Sequence, residues 1–212
     1  MSEYLCKTPV VMIIFNRPDT ANQVFEIVKK AKPPKLLLIG DGARPDKPGE
    51  AEKVEECRKI QHKVDWDCEG LTNFSDTNMG CKKRISSGLD WVFGNVERAI
   101  ILEDDCKPAD CFFRFCDEML EYYKDDERIM LVSGDNQSPK CQKLEESYYF
   151  TKHVHIWGWA TWRRARQKND TSMKDWPQIS ASGAFDHLFK NPRYNFYWKQ
   201  FFNILHDNRV NS

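Results

Sequence analysis

Val10-Val11-Met12-Ile13-Ile14-Phe15-Asn16-Arg17-Pro18-Asp19 is the stretch on which the fold turns. Its first six residues form a continuous apolar run of strand length, rich in β-branched side chains. That is the pattern of a strand covered on both faces, as in the middle of a parallel sheet. The polar tetrapeptide Asn16-Arg17-Pro18-Asp19 ends the run. Ala21, Val24, Phe25 and Val28 then follow at helical spacing, Asp19 or Thr20 can cap the start, and Pro33-Pro34 stops the segment. The reading is one β-α unit.

The same alternation continues outward. Lys35 to Ile39 supplies a second strand, closed by the turn-tolerant Gly40-Asp41-Gly42. Val54, Cys57, Ile60 and Val64 make a charged surface helix of Glu50 to Val64, and Leu71 to Phe74 is a weak third strand. Cys81, Ile85, Leu89 and Val92 mark a helix running to Gly94, followed by a strand at Arg98 to Leu102. Pro108 and Asp110 open a helix over Phe112 to Tyr123, and Ile129 to Val132 is a fifth strand. The expectation is an α/β fold with a mainly parallel sheet flanked by helices. Beyond Gly134 the alternation stops. Ser133 to Glu146 is polar and turn-rich, and Tyr148 to Phe150 reads as an edge strand. Trp157 to Trp162 is densely aromatic, and Tyr194, Tyr197, Trp198, Phe201, Phe202 and Leu205 keep a helical stripe.

Composition bounds the function. The 212 residues balance 32 Lys+Arg against 32 Asp+Glu, so no long-range field gathers nucleic acid or an anionic bilayer. The longest strongly apolar run, Val10 to Phe15, is far below the roughly 20 residues of a membrane-spanning helix. The start, Met-Ser-Glu-Tyr-Leu-Cys-Lys, has no secretory-signal pattern, so a cytoplasmic location is expected. Eight cysteines without a Cys-x-x-Cys pair read as reduced thiols.

In an open α/β sheet, ligands bind outside the carboxyl ends of the strands. By this reading Asn16 and Arg17, Asp41, and Glu103-Asp104-Asp105 all stand there. Three adjacent carboxylates after a buried strand call for a shared cation, Mg2+ or Mn2+; the alternative is a solvated acidic turn. Singly, Arg17 reads as a surface salt bridge and Asp41 as a turn residue. Lys82-Lys83-Arg84 at a helix start is a weak anion-binding signal. Trp157-Gly158-Trp159 is either core or a flat platform for a sugar ring, and His153 and His155 point the same way without a third ligand.

Together, Val11 to Pro18, Ile39 to Gly42, Asn78-Met79-Gly80, Ala99 to Asp105, Val132 to Asn136 and Trp157 to Trp162 resemble a GT-A-type glycosyltransferase. The resemblance is to bacterial nucleotide-diphospho-sugar transferases, some labelled hemolytic-protein-like. It reaches more remotely to N-acetylglucosaminyltransferase I, and it covers residues 9 to about 165. It implies a single GT-A-like domain over 1–212, with a nucleotide-sugar-binding half at 8–135 and an acceptor-side part at 136–212. It implies an inverting transfer of a sugar from a nucleoside diphosphate sugar, UDP-linked, to the hydroxyl of a carbohydrate or glycoconjugate, as in polysaccharide biosynthesis. By position, Asp105 matches the acid that binds Mn2+ or Mg2+ in an Asp-x-Asp-like motif, and Glu103 and Asp104 match acids facing ribose and donor sugar. Asp41 matches the acid on the base. Phe15, Asn16, Arg17 and Arg84 match positions near the nucleotide and its phosphates, and Trp157, Gly158 and Trp159 fall to the acceptor or sugar platform. The family's catalytic carboxylate lies beyond the aromatic region, where this sequence has no convincing match. Asp135, Asp175 and Asp207 are the candidates, and the abrupt end at Arg209 to Ser212 reads as truncation. The alternatives are a catalytically silent nucleotide-sugar or carbohydrate-binding module and a nucleotidyltransferase. The latter fits less well, because Phe15-Asn16-Arg17-Pro18 stands where a glycine-rich phosphate loop is expected.

Overall fold

The computed structural model describes residues 4–136 and 146–207. Most of the polar stretch after Ser133, Cys141 included, and the final Arg209 to Ser212 lie outside the described residues. The chain divides into two compact units, Met1–Arg166 and Gln167–Ser212.

In the first unit the described residues build a six-stranded sheet from β1 (Val10–Ile14), β2 (Lys35–Gly40), β3 (Glu69–Phe74), β4 (Arg98–Glu103), β5 (Val132–Ser133) and β6 (Trp159–Trp162). The strand order is β3-β2-β1-β4-β6-β5. The β1/β2, β2/β3 and β1/β4 ladders are parallel, whereas β6 runs antiparallel to both β4 and β5. The sheet is therefore mixed. β1 is central, and both its faces are covered, as its unbroken apolar run requires. Val10, Met12 and Ile14 pack with Val24, Phe25 and Val28 of α1 (Pro18–Ala31) and with Phe113, Cys116 and Leu120 of α4 (Phe112–Tyr122). Val11 joins Leu37, Ile39 and Ile101 against Leu89, Val92 and Phe93 of α3 (Cys81–Asn95) on the other face.

Several sequence expectations shift in detail. The surface helix keeps α-helical form only as α2 (Glu50–Arg58), and Lys59–Lys63 tightens into a 3-10 turn. The strand expected at Ile129 to Val132 is reduced to Val132–Ser133, and Tyr148 to Phe150 is not a strand. The aromatic Trp159 to Trp162, read only as core or platform, is the strand that joins β4 to β5. Alternation splits it: Ala160 and Trp162 face the α1/α4 layer, and Trp159 faces the α3 layer. The Trp162 indole N–H donates to the Leu120 carbonyl at 3.1 Å and pins this strand to α4. The short α5 (Arg163–Arg166) follows.

The second unit holds α6 (Trp176–Ala181), a 3-10 turn at Ala184–His187 and α7 (Pro192–His206). Pro192 sits at the first helical position, and the Asn191 side chain accepts from the Arg193 N–H at 3.0 Å, which fixes where α7 starts. Trp176, Phe185 and Phe202 pack with ring centroids 5.1 to 5.5 Å apart. Buried Asn195 ties the turn to the helix, accepting from the Phe189 N–H at 2.7 Å and donating to the Asp186 and Phe189 carbonyls.

Candidate functional site

The chain leaves β1 toward β2 on one side and returns through α3 to β4 on the other. Strand order reverses between β1 and β4, and in open α/β sheets the carboxyl ends of the strands at such a reversal are where ligands bind. Phe15-Asn16-Arg17 leaves β1 there and Asp104-Asp105 leaves β4, since Ile13 and Glu103 are paired across the ladder. The two segments are laced together. The Phe15 N–H donates to Asp104 at 3.3 Å, and the Arg17 guanidinium donates one arm to Asp104 and the other to Asp105, the latter at 2.6 Å. The acidic run thus has a protein cation between its last two members.

The three acids differ sharply in setting. The Asp104 side chain is 3% exposed and Asp105 is 47% exposed. Burial pushes the Asp104 carboxyl above its usual range, although Arg17 pulls it back. Burial also raises Glu103, and the neighbouring Asp105 and Asp104 add to the rise. Glu103 is partly exposed, and Asp105, although its Oδ2 is held by Arg17, is the most exposed of the three. Asp105 borders a cleft of about 1190 Å3 that also reaches Ser133, Asp135, Tyr148, His155 and Trp157.

Among the described residues no group of three or more His, Cys, Asp or Glu side chains is arranged as a metal cage. One open carboxylate beside a cleft suits a hard divalent ion that takes its remaining ligands from water and substrate phosphates, as Mg2+ commonly does. The donor set fits that manner of binding.

Asn16 donates to Glu50 Oε1 at 2.8 Å, and Glu50 also takes the Arg44 N–H at 2.7 Å and its side chain. Buried Glu50 therefore fastens the loop after β1 to the loop after β2, and chiefly the Arg44 hydrogen bonds hold its carboxyl down at about 2. Sequence reading missed this residue, because nothing in a charge-rich surface helix distinguishes one glutamate from the next.

Asp41 and Arg84 are brought together at the end of β2, in roles other than those expected. The Asp41 carboxylate accepts from the backbone N–H groups of Gly42, Met79 and Gly80 at 2.9 to 3.0 Å. It shapes the Asn78-Met79-Gly80 turn, and little of it is open to a nucleotide base. Arg84 was expected near phosphates. It is instead buried, with its guanidinium donating to the Gly40 carbonyl at 3.1 Å and to Asn73, and burial lowers its pKa. Its charge secures the carboxyl ends of β2 and β3. Arg58, which no sequence signal singled out, does the same from α2: it donates to the Ser75 carbonyl at 2.6 Å and lies over the Phe74 ring.

The platform expectation also divides. Trp157 is 64% exposed and lines the cleft, whereas Trp159 packs into the core on the opposite face of the sheet, so the two indoles do not form one wall. Gly158, at φ +76°, turns the chain between them and accepts from the Gly134 N–H at 2.9 Å. Of the three candidate catalytic carboxylates, Asp135 lies in the cleft with Asp105. Its Oδ2 is buried without a hydrogen-bond partner among the described residues, and His155 Nδ1 is 3.6 Å away. Asp175 is exposed at the start of α6 and Asp207 follows α7, both in the second unit.

No helix among the described residues is long and apolar enough to cross a membrane. Comparison of the chain with protein-family models and with curated proteins finds no match.

Proposed function

We propose that this chain is a metal-dependent glycosyltransferase of the GT-A type, moving a sugar from a nucleoside diphosphate sugar, UDP-linked, to an acceptor hydroxyl. The observation that carries the reading is the meeting of Arg17, Asp104 and Asp105 at the β1/β4 switch point, with Asp105 opening onto a large cleft. A crevice there suits a nucleotide, and an exposed acid with a neighbouring guanidinium suits a diphosphate bridged by Mn2+ or Mg2+. When bound, the ion supplies positive charge to the diphosphate as the glycosidic bond breaks. The bond from the anomeric carbon to the diphosphate oxygen breaks as a bond to the acceptor oxygen forms, and a carboxylate takes the acceptor's proton. Asp135 is the best placed of the candidates, since it shares the cleft with Asp105. Trp157 offers one exposed aromatic face for stacking against a sugar.

Thermal-shift screening of nucleoside diphosphates with Mn2+ and with chelator tests the reading. UDP should raise the melting temperature only when metal is present, and Asp105→Ala should abolish the difference. Equal UDP shifts with metal and with chelator in the unmutated protein would overturn metal-dependent binding. Binding without hydrolysis or transfer to any acceptor would favour a silent binding module.

A further inference from the structure

Arg17 spans an internal acid and an open one. Its Nη2 arm reaches Asp104, which is almost wholly buried, and its Nη1 arm reaches Asp105 Oδ2 at 2.6 Å, where both partners are about half exposed. The inward contact is needed by the fold, because a buried carboxylate stripped of its cation is costly. The outward contact is different in kind: an exposed ion pair contributes little net stability and exchanges readily. A divalent ion at Asp105 would have the guanidinium as a like-charged neighbour within a few ångströms. The guanidinium is a forked donor that matches phosphate oxygens as well as it matches carboxylates.

We propose that Arg17 is an exchangeable counter-ion: it occupies the Asp105 carboxylate until a divalent cation arrives with a diphosphate, and its outer arm then passes from Asp105 to the diphosphate. No covalent bond changes; one charge-assisted hydrogen bond is traded for another. The exchange opposes binding of the cation alone and favours binding of the cation together with the diphosphate, so the site couples the two ligands. This inference rests on the proposed function.

The two halves of the exchange predict effects of opposite sign. Mn2+ binding is measured by electron paramagnetic resonance of the free ion, first alone and then with UDP, for the wild type, Arg17→Gln and Arg17→Lys. Arg17→Gln should bind Mn2+ alone about tenfold more tightly than the wild type, since a single like charge has been removed from beside the ion. It should bind UDP in the presence of saturating Mn2+ about tenfold more weakly, because a charge-assisted donor is lost. Arg17→Lys leaves a cation beside Asp104 but cannot fork to both acids, so it should shift both affinities in the same directions by smaller factors. It gives the answer if Arg17→Gln does not fold.

A merely structural role would weaken both affinities together, and that result overturns the proposal. Mn2+ affinity that is unchanged in both variants overturns it as well. A wild-type protein that binds Mn2+ but no UDP at any metal concentration would overturn the proposed function, and the exchange with it. Normal UDP binding in the wild type with no crossover in the variants would overturn the exchange alone.

Discussion

The Asp41 carboxylate accepts three backbone hydrogen bonds across the mouth of β2, so its substitution should be felt first as lost stability. Asp41→Asn puts an amide N–H2 where an acceptor is required and leaves at least one partly buried backbone donor, such as the Gly80 N–H, unpaired. The cost should be about 1–3 kcal/mol, read as a lower urea midpoint with an unchanged slope. An unaltered midpoint would show that the turn does not depend on the carboxylate. Asp135 should behave in the opposite way. Its Oδ2 has no hydrogen-bond partner among the described residues and only the His155 ring at 3.6 Å, so Asp135→Asn should change the urea midpoint little and leave Mn2+-dependent UDP affinity near wild type. Transfer to the acceptor should fall about 10²- to 10⁴-fold, with donor hydrolysis less affected. A variant that transfers at the wild-type rate would remove Asp135 from the reaction.

β5 and β6 meet at a glycine pair that positions Asp135. The Gly134 N–H donates to the Gly158 carbonyl at 2.9 Å, and a Cβ added at Gly134 would lie 2.5 Å from the Phe112 ring. Phe112 is buried at the start of α4 and cannot swing aside without disturbing the core. Gly134→Ala should therefore cost about 1–3 kcal/mol by overpacking and should depress transfer more than nucleotide binding, since the displaced strand end leads into Asp135. Loss of UDP affinity in step with transfer would argue against this placement. These same elements mark how far the sequence can be read. β1, β2 and β4 are long apolar runs ended by polar turns, and each lies within a residue or two of its expected limits. β5 is two residues long, and β6 consists of Trp, Ala and Thr that match no single period, so their pairing is decided by contacts distant in sequence. The site divides in the same way. The positions of Arg17 and the acid run were legible, because an apolar run that gives way to polar residues marks the carboxyl end of a buried strand. The inward roles of Asp41 and Arg84 were not, because a charge that solvates backbone carbonyls or amides is spelled in sequence like one that binds a ligand.

The whole molecule balances 32 basic against 32 acidic residues, and among the described residues the fold sets two of its carboxyls, Glu50 and Glu121, beside cations, so that both bear on the response to acid. Glu50 and Glu121 both stand at about 2 in the folded chain against an ordinary 4.5. A carboxyl lowered by folding contributes stability that is fully present above its unfolded value and is lost as pH falls through its folded value. The window for both is therefore from about pH 4.5 down to about 2. The two are not equivalent. Glu121 is 56% exposed between Lys124 and Arg98, where salt screens the attraction, while Glu50 is 5% exposed and joins two loops through Asn16 and Arg44. Urea unfolding at pH 7 and at pH 3, in low and in molar salt, separates them. Glu50→Gln should lower stability at pH 7 and flatten the loss between the two pH values, and salt should change this little. Glu121→Gln should have a small effect that molar salt erases. If Glu50→Gln kept the full wild-type dependence on pH, the loop-to-loop clasp at the mouth of β1 and β2 would not be what acid undoes, and the exposed pairs would have to account for it.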